Sequence, residues 1–564
     1  MNDLTLPFTE EEDAKTDALL KEGLINVTLN SSEYKRYVEQ EQTREDFGKL
    51  RNKIIMKISD KFYVSEIRLE IAQYIVSHQH IITLRDAKCP EMWIYNEGYY
   101  KPHAETYIQE FLLAVAQKYF TTSLLNDILT KVRAMTYREP EDMFEDHHRE
   151  YVCIENGVFH LRTKKLIEHS PDFIFFNKLP VTYSPESQCP AINEFVKSTV
   201  SPHDIPVIQE LFGFTLYRRY FIKKAAIFSG GGSNGKSKLL ELLTRMIGKE
   251  NICQKSLLQL ETQNFAKAEL FGKLANVVGE LSSETLKNTD MFKTVTGGDP
   301  VTADRKNRSQ ITFIPYAKQM FCANQLPITM DVSDGFFDRW ILIEFPNRFI
   351  SQDEYDALKV RPPNVFPAKA DIIEKIATKA EIDGLFNWSV DGLQRLFERG
   401  AFSYSLTSDD VKIKWLRTSN SLAAFILDNC IEDNEKHIHK SSFKKSYIDY
   451  CRNHKLKFVS DDFIKKYLTT NHSVQEARKG AESVPSWEGI RLKNDEDVML
   501  SECDKLREFS KLWLSEGRIR CNAKYYVISD DLLDSVFNSN TKQAFFDKGI
   551  LEHVDGKAGF VIGQ

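Results

Sequence analysis

The sequence predicts an α/β protein whose middle third folds around a largely parallel sheet. Three observations predict it. Between residues 207 and 350, short apolar runs of strand character alternate with helical text. Within that stretch a glycine-rich loop joins one apolar run to an amphipathic helix. Mixed helical text precedes the stretch, and two units of short helices ending in hairpins follow it.

The 564 residues suffice for about three to five domains of ordinary size. A hydrophobic share of 42% and a charged share of 28% belong to a globular chain and exclude a disordered one. The opening MNDLTLPFTEEEDAK is acidic and has no apolar core of signal-peptide type. No apolar run approaches the ~20 residues of a membrane helix, so a soluble, cytoplasmic protein is expected. The nine cysteines are widely spaced without a C-x-x-C pair, which predicts reduced, mostly buried thiols. His147 and His148 beside Asp146 make a poor metal site, because adjacent side chains point apart.

Taken in order, residues 1–92 read as mainly helical and 93–206 as a mixed domain with one long helix, Glu105 to Tyr119. Apolar residues flank Asn156-Gly157 from Val152 to Leu161, which predicts a hairpin. Pro185, Pro190, Pro202 and Pro206 punctuate the passage into a core domain, 207–400, whose end to Arg399 reads as helical. Residues 405–493 end in a hairpin at Gly489 to Leu492. Residues 494–564 end in another from Leu551 to Val561, with Asp555-Gly556 as its turn. Helices followed by a hairpin suggest two winged-helix-like domains.

The chemistry centres on Gly230-Gly231-Gly232-Ser233-Asn234-Gly235-Lys236-Ser237, a complete G-x-x-x-x-G-K-[ST] loop. Ala225 to Ser229 is a buried strand leading in. Leu239, Leu243, Met246 and Ile247 fall at helical spacing after it, and Gly248 is the expected stop. Glycines let backbone N–H groups wrap phosphates closely. Lys236 adds a charge on the β/γ-phosphates, Ser237 a hydroxyl for Mg²⁺, and the helix an N-terminal dipole. The loop therefore predicts a nucleotide triphosphatase that uses ATP and Mg²⁺.

Two further strands fill out the set. Leu274 to Gly279 is apolar and ends at Glu280, suited to holding Mg²⁺ or polarising water; Glu284 is the nearest other carboxylate, so the division between metal holder and base stays open. Gln319 to Ala323 ends in Asn324, whose amide can bond both the γ-phosphate and the attacking water.

With Gly272-Lys273-Leu274 through Glu280, Thr296-Gly297-Gly298-Asp299-Pro300, Phe321-Cys322-Ala323-Asn324-Gln325-Leu326-Pro327 and Gly335-Phe336-Phe337-Asp338-Arg339-Trp340, the chain resembles the superfamily 3 helicase domain. It is most similar to the phage/plasmid and poxvirus primase-helicase branch. Glu155-Asn156-Gly157-Val158 and Tyr183-Ser184-Pro185 with Cys189-Pro190 are similar to the collar-like segment ahead of that motor. The resemblance covers residues 93–350 well and 405–493 loosely.

It implies an AAA+-like P-loop core that assembles into a ring, usually a homo-hexamer, and moves 3′ to 5′ on single-stranded or forked DNA. ATP would lie between subunits, with Arg339 as the arginine contributed to a neighbour. The alternative for Arg339 is a salt bridge to Asp334 or Asp338. Val301 to Ile314 reads as strand, basic tip, strand; in the family the corresponding hairpin grips the DNA backbone, which assigns Arg305, Lys306 and Arg308, with Lys306 first. From Lys436 to Lys479 there are eleven Lys/Arg against four Asp/Glu, which makes Arg478 and Lys479 near the possible wing candidate DNA contacts; a solvated helix face is the other reading. The ~90 residues before the match are short for a primase domain. Primer synthesis is therefore not expected of this chain, and a separate primase or polymerase is a partner that this reading allows. An initiator or loader that remodels an origin without processive unwinding is the competing function.

Overall fold

The computed structural model describes residues 44–58, 64–85, 90–139, 148–281, 286–306, 308–454, 456–480 and 483–494, with scattered positions beyond. Contacts divide the chain into two units, meeting between Trp415 and Leu416.

The first unit opens with helices α1 (Glu45–Ile58) and α2 (Val64–His78), strands β1 (Ile81–Leu84), β2 (Met92–Asn96) and β3 (Tyr99–Pro102), helices α3 (Ala104–Ala116) and α4 (Thr122–Thr136), and strand β4 (Tyr137–Arg138). The strands form one sheet in the order β3-β2-β1-β4. Phe47, Ile71, Ile94, Phe111 and Ile128 share its core. The expected boundary at residue 92 therefore falls inside a sheet, with β1 on one side of it and β2 on the other. Ile81-Ile82-Thr83-Leu84 was expected to be helical. It is a strand because a short β-branched run, here buried on every residue, suits a pleated sheet as well as a helix. The predicted helix stops at Ala116 and α4 follows it, capped by Thr121, whose hydroxyl accepts from Leu124 N at 3.1 Å. Leu124, Ile128 and Val132 carry its helical spacing.

The expected hairpin is formed by β5 (Tyr151–Ile154) and β6 (Gly157–His160), extended by β7 (Lys165–Ile167). Its loop is Glu155-Asn156, one residue earlier than the Asn-Gly pair, with Gly157 opposite Ile154. A Cβ on Gly157 would lie 2.4 Å from the Ile167 carbonyl oxygen, so the glycine serves the close third strand.

Helices α5 (Pro190–Thr199) and α6 (Ile205–Leu216) lead into β8 (Ala225–Ser229), α7 (Lys236–Ile247), β9 (Ile252–Cys253) and β10 (Ala275–Val278). After α8 (Asp290–Gly297) come the hairpin β11 (Val301–Arg305) and β12 (Arg308–Phe313), then β13 (Lys318–Ala323), the short helix α9 (Asp334–Phe337) and β14 (Trp340–Glu344). Five strands make the predicted parallel sheet, ordered β14-β8-β13-β10-β9. Ala225 to Phe228, all of β13, and Trp340 to Ile343 are buried, the continuous apolar text of strands covered on both faces.

Past residue 350 the text expected to be helical is interrupted by a strand that pairs back onto the end of the preceding stretch. Arg348–Ile350 and Val365–Pro367 pair as parallel strands β15 and β16, and the long helix α10 begins only at Lys379 and ends at Arg399. Pro362, Pro363 and Pro367 explain the interruption, since each lacks the N–H a helix needs. Gly213 on α6 and Gly392 on α10 allow these helices to touch. A Cβ there would lie 2.2 Å from Ser389 O and 2.4 Å from Gln209 O respectively.

The second unit contains α11 (Ser421–Asn429), β17 (Cys430–His439), α12 (Lys440–Asn453), α13 (Asp461–Asn471), β18 (Gln475–Lys479) and β19 (Val484–Leu492). Its antiparallel sheet is ordered β17-β19-β18. A second small sheet, of β20 (Arg520–Cys521), β21 (Tyr525–Ile528), β22 (Leu551–Val554) and β23 (Lys557–Val561), is ordered β20-β21-β23-β22. Val554 and Lys557 pair across the expected Asp555-Gly556 turn, which itself lies outside the described residues. Among the described residues the cysteines are free thiols, and no helix is long and apolar enough to cross a membrane. Asp146 and His147 lie outside the described residues.

Candidate functional site

Because β8, β10 and β13 run parallel, their carboxyl ends share one edge of the sheet. Ser229 leads there into the glycine loop, Val278 into Gly279-Glu280, and Ala323 into Asn324. The chain leaves β8 toward β9 on one side and leaves its neighbour β13 toward β14 on the other, the reversal that opens a ligand crevice at strand carboxyl ends.

The loop has positive φ at Gly232 (94°), Ser233 (49°) and Gly235 (92°). A Cβ on Gly235 would meet Thr199 Cγ2 at 2.7 Å, and one on Gly230 would meet Asn234 Nδ2 at 2.0 Å. Gly231 stands open to solvent. Gly235 precedes α7 without a side-chain cap, which leaves first-turn N–H groups for an anion.

Lys236 Nζ donates to Gly230 O at 2.7 Å, Asn234 Oδ1 at 2.9 Å and Asn324 Oδ1 at 3.2 Å. Three acceptors match the three protons of an ammonium. Burial pushes the lysine below its ordinary pKa, opposed by Cys322 and Glu280 on the neighbouring strands. Ser237 and Glu280 are exposed at the same edge. Glu284 lies outside the described residues, among which no group of three metal-ligating side chains is found.

Arg339 is elsewhere. It precedes β14, whose Trp340 pairs with Ala225 and whose Glu344 pairs with Ser229. The five-residue strand separates Arg339 from the loop edge by about 17 Å at ~3.3 Å per residue. Its Nε donates to Thr296 Oγ1 at 3.1 Å and its Nη1 to Gly335 O. The two candidate carboxylates are engaged by lysines, Asp338 by Lys224 and Asp334 by Lys412, each at 3.5 Å. Arg339 has no carboxylate partner among the described residues.

The basic hairpin forms as expected, with Arg305 opposite Arg308. Both arginines, however, grip Glu91, which lies just before β2; Arg308 Nη1 is 2.7 Å from its Oε2. Backbone bonding from Leu84 N to Glu91 O, at 2.8 Å, fixes the acid to the first sheet. Lys306 is exposed and has no ion-pair partner among the described residues.

In the second unit five of the eleven basic residues of the run form ion pairs among the described residues. Lys440 and Lys465 share Glu476, Lys444 meets Asp461, Arg452 meets Asp449, and Lys479 meets Glu488 at 2.7 Å. Arg478, at the end of β18, donates to Ser483 O at 3.3 Å.

The sequence reading passed over Glu91, Asp331 and Lys318, and gave Thr296, which heads one of the segments that carry the resemblance, no role of its own. Lys318 is fully buried at the start of β13. It donates to Tyr217 O, Arg219 O and Tyr316 O at 2.7, 3.2 and 2.8 Å and lies over the rings of Phe214 and Tyr220. Its only advance signal was a lysine heading an apolar strand.

Two family descriptions match the chain: "D5 N terminal like" over residues 35–201, and a family of unknown function, DUF5906, over residues 228–339, from β8 to Arg339. "Putative helicase L207/L206" of Acanthamoeba polyphaga mimivirus is 31% identical over 161 residues, 27% of this chain and 17% of that protein. "Putative helicase 121R" of Invertebrate iridescent virus 3 is 21% identical over 358 residues, 58% of this chain and 37% of that protein. The chain thus spans well under half of either relative. The apo C-terminal region of NrS-1 aligns at a TM-score of 0.39 and 16% identity, over 75% of this chain and 99% of that one. The chain thus carries a D5 N-terminal-like region ahead of its phosphate loop and is similar, over part of its length, to two viral proteins that bear helicase names.

Proposed function

We propose that this protein is an ATP-driven DNA helicase, acting as a homo-hexameric ring of AAA+-like cores that moves 3′ to 5′ on single-stranded DNA during viral, phage or mobile-element replication. The observation that carries the reading is the convergence at Lys236, whose ammonium joins the glycine loop to Asn324 at the edge that also carries Glu280. Bound ATP would draw Lys236 from its carbonyl and amide partners onto phosphate oxygens. Ser237 and Glu280 would hold Mg²⁺, which neutralises charge developing on the transferred phosphoryl group. Asn324, freed by the same exchange, would orient the attacking water. Lys306 would contact the DNA backbone, with Arg305 and Arg308 behind it. The second unit, with Arg478 and Lys479 on one strand of its β18-β19 hairpin, is read as winged-helix-like and suited to a fork or a partner primase.

Arg339 lies too far along its own sheet to serve the nucleotide at its own loop, which supports a role toward a neighbouring subunit. Arg339→Ala is therefore expected to bind ATP normally and hydrolyse it about a thousandfold more slowly, the low end for loss of such an arginine. Mixing Arg339→Ala with Lys236→Ala chains should recover part of the activity, because a mixed interface can pair an intact loop with an intact arginine. Absence of recovery in rings shown to be mixed would remove the shared site. Strand displacement on a long forked substrate separates the helicase from an initiator or loader, since both would hydrolyse ATP in response to DNA.

A further inference from the structure

We infer that Thr296 is a positioning residue that couples the basic hairpin to Arg339, so that DNA held at Lys306 sets the aim of the guanidinium. This rests on the reading of Arg339 as the group offered to a neighbour's nucleotide.

Thr296 is fully buried near the end of α8. Its hydroxyl donates to Phe292 O at 2.7 Å and accepts from Arg339 Nε at 3.1 Å. Only a hydroxyl can do both at this size. Phe292, one turn earlier, stacks on Trp340 with ring centroids 4.3 Å apart and planes 9° apart. Helix α8 thus grips Arg339 by a hydrogen bond and the next residue by a ring.

The same helix is the root of the hairpin. Val301 begins β11 five residues after Thr296. The connection is fastened by Gly298 N to Val295 O and Asp299 N to Thr294 O, both at 3.2 Å. A pull on the hairpin is carried into the end of α8 and not absorbed by slack chain.

The other end of α8 is tied to the segment that leads to Arg339. Asp331 accepts from Thr289 Oγ1, from Lys293 Nζ at 2.5 Å, and from Ser333 N and Oγ at 3.0 and 2.6 Å. Against the upward pull of burial, these bonds hold the Asp331 carboxyl down to about 2. The short helix α9 and Arg339 follow directly. Helix, hairpin root and guanidinium therefore form one packed piece, and Thr296 is its joint.

The test compares kcat and KM for ATP, with and without saturating single-stranded DNA, in the full chain and in Thr296→Val, Thr296→Ser and Arg339→Ala. Thr296→Val is expected to lose about tenfold or more in DNA-stimulated kcat, with KM within about twofold. Most of the stimulation by DNA should go with it, while Thr296→Ser keeps both. Should Thr296→Val fail to fold, Thr296→Ala removes the same hydroxyl without placing a methyl where oxygen stood, and the same losses are expected. Wild-type kcat and stimulation in the hydroxyl-free variant, beside a slow Arg339→Ala, would overturn the role of Thr296. A fast Arg339→Ala would instead overturn the reading of the arginine on which this one rests.

Discussion

Lys236→Ala is expected to reduce ATP hydrolysis at least about a hundredfold, the effect of removing one preorganised charge from a developing oxyanion, and strand displacement should vanish with it. The lysine reaches the loop carbonyl, Asn234 and Asn324 at once, so its loss removes both the charge and the link between two strands. The fold should survive. The side chain lies at the rim of the sheet, and Leu239, Leu242, Leu243 and Met246 bury α7 without it. A hydrolysis assay paired with a thermal melt checks this: unchanged turnover in a folded variant would mean that the loop does not hold the reacting nucleotide.

Lys306→Ala should abolish displacement of a long strand from a fork and weaken single-strand binding, with nucleotide affinity retained. Lys306 is exposed at the tip of the hairpin, while Arg305 and Arg308 are held by Glu91. A ring, on the helicase reading, would repeat the loss at every subunit, so one small substitution would remove a whole circle of contacts. Filter binding to oligothymidine and a fork-unwinding assay are the measurements. Normal unwinding by the variant would remove the hairpin from the translocating surface and favour an initiator or loader.

The parts of the site that were legible are those whose information is local. Glycine at positive φ, a strand of buried apolar residues and a helix from Lys236 to a Gly248 stop can all be read within about 25 consecutive residues. Asn324 and Glu280 were legible because each ends an apolar run, and parallel strands bring such ends together. What escaped depends on partners far along the chain. Arg339 meets Thr296 across 43 positions, Lys318 meets Tyr217 across 101, and Arg308 meets Glu91 across 217. No periodicity encodes those pairings; they follow from the order of strands and the packing of the first sheet on the hairpin. Ile81 to Leu84 escaped for the opposite reason, since four residues are too few for either period to declare itself. The basic run after Lys436 was legible as charge but not as pairing, because its carboxylate partners Glu476 and Glu488 are brought alongside only by the hairpin.

Glu91 cancels part of the positive charge at the hairpin tip. Wherever a protein cation neutralises a phosphate, the strand sheds a condensed cation, so binding gains the entropy of release and becomes sensitive to salt, by about 0.7 in log–log slope per contact on a single strand. Arg305 and Arg308 already hold an anion that belongs to the protein. With that carboxylate beside them, the three cations of the tip present a net charge of about two to a strand, and fewer of the strand's own cations are shed. On the helicase reading each chain should then register in the salt slope as about two contacts, although three cations stand at the tip. Grip on the backbone and sensitivity to ionic strength, which usually rise together, would be separated in part at this hairpin by a single carboxylate.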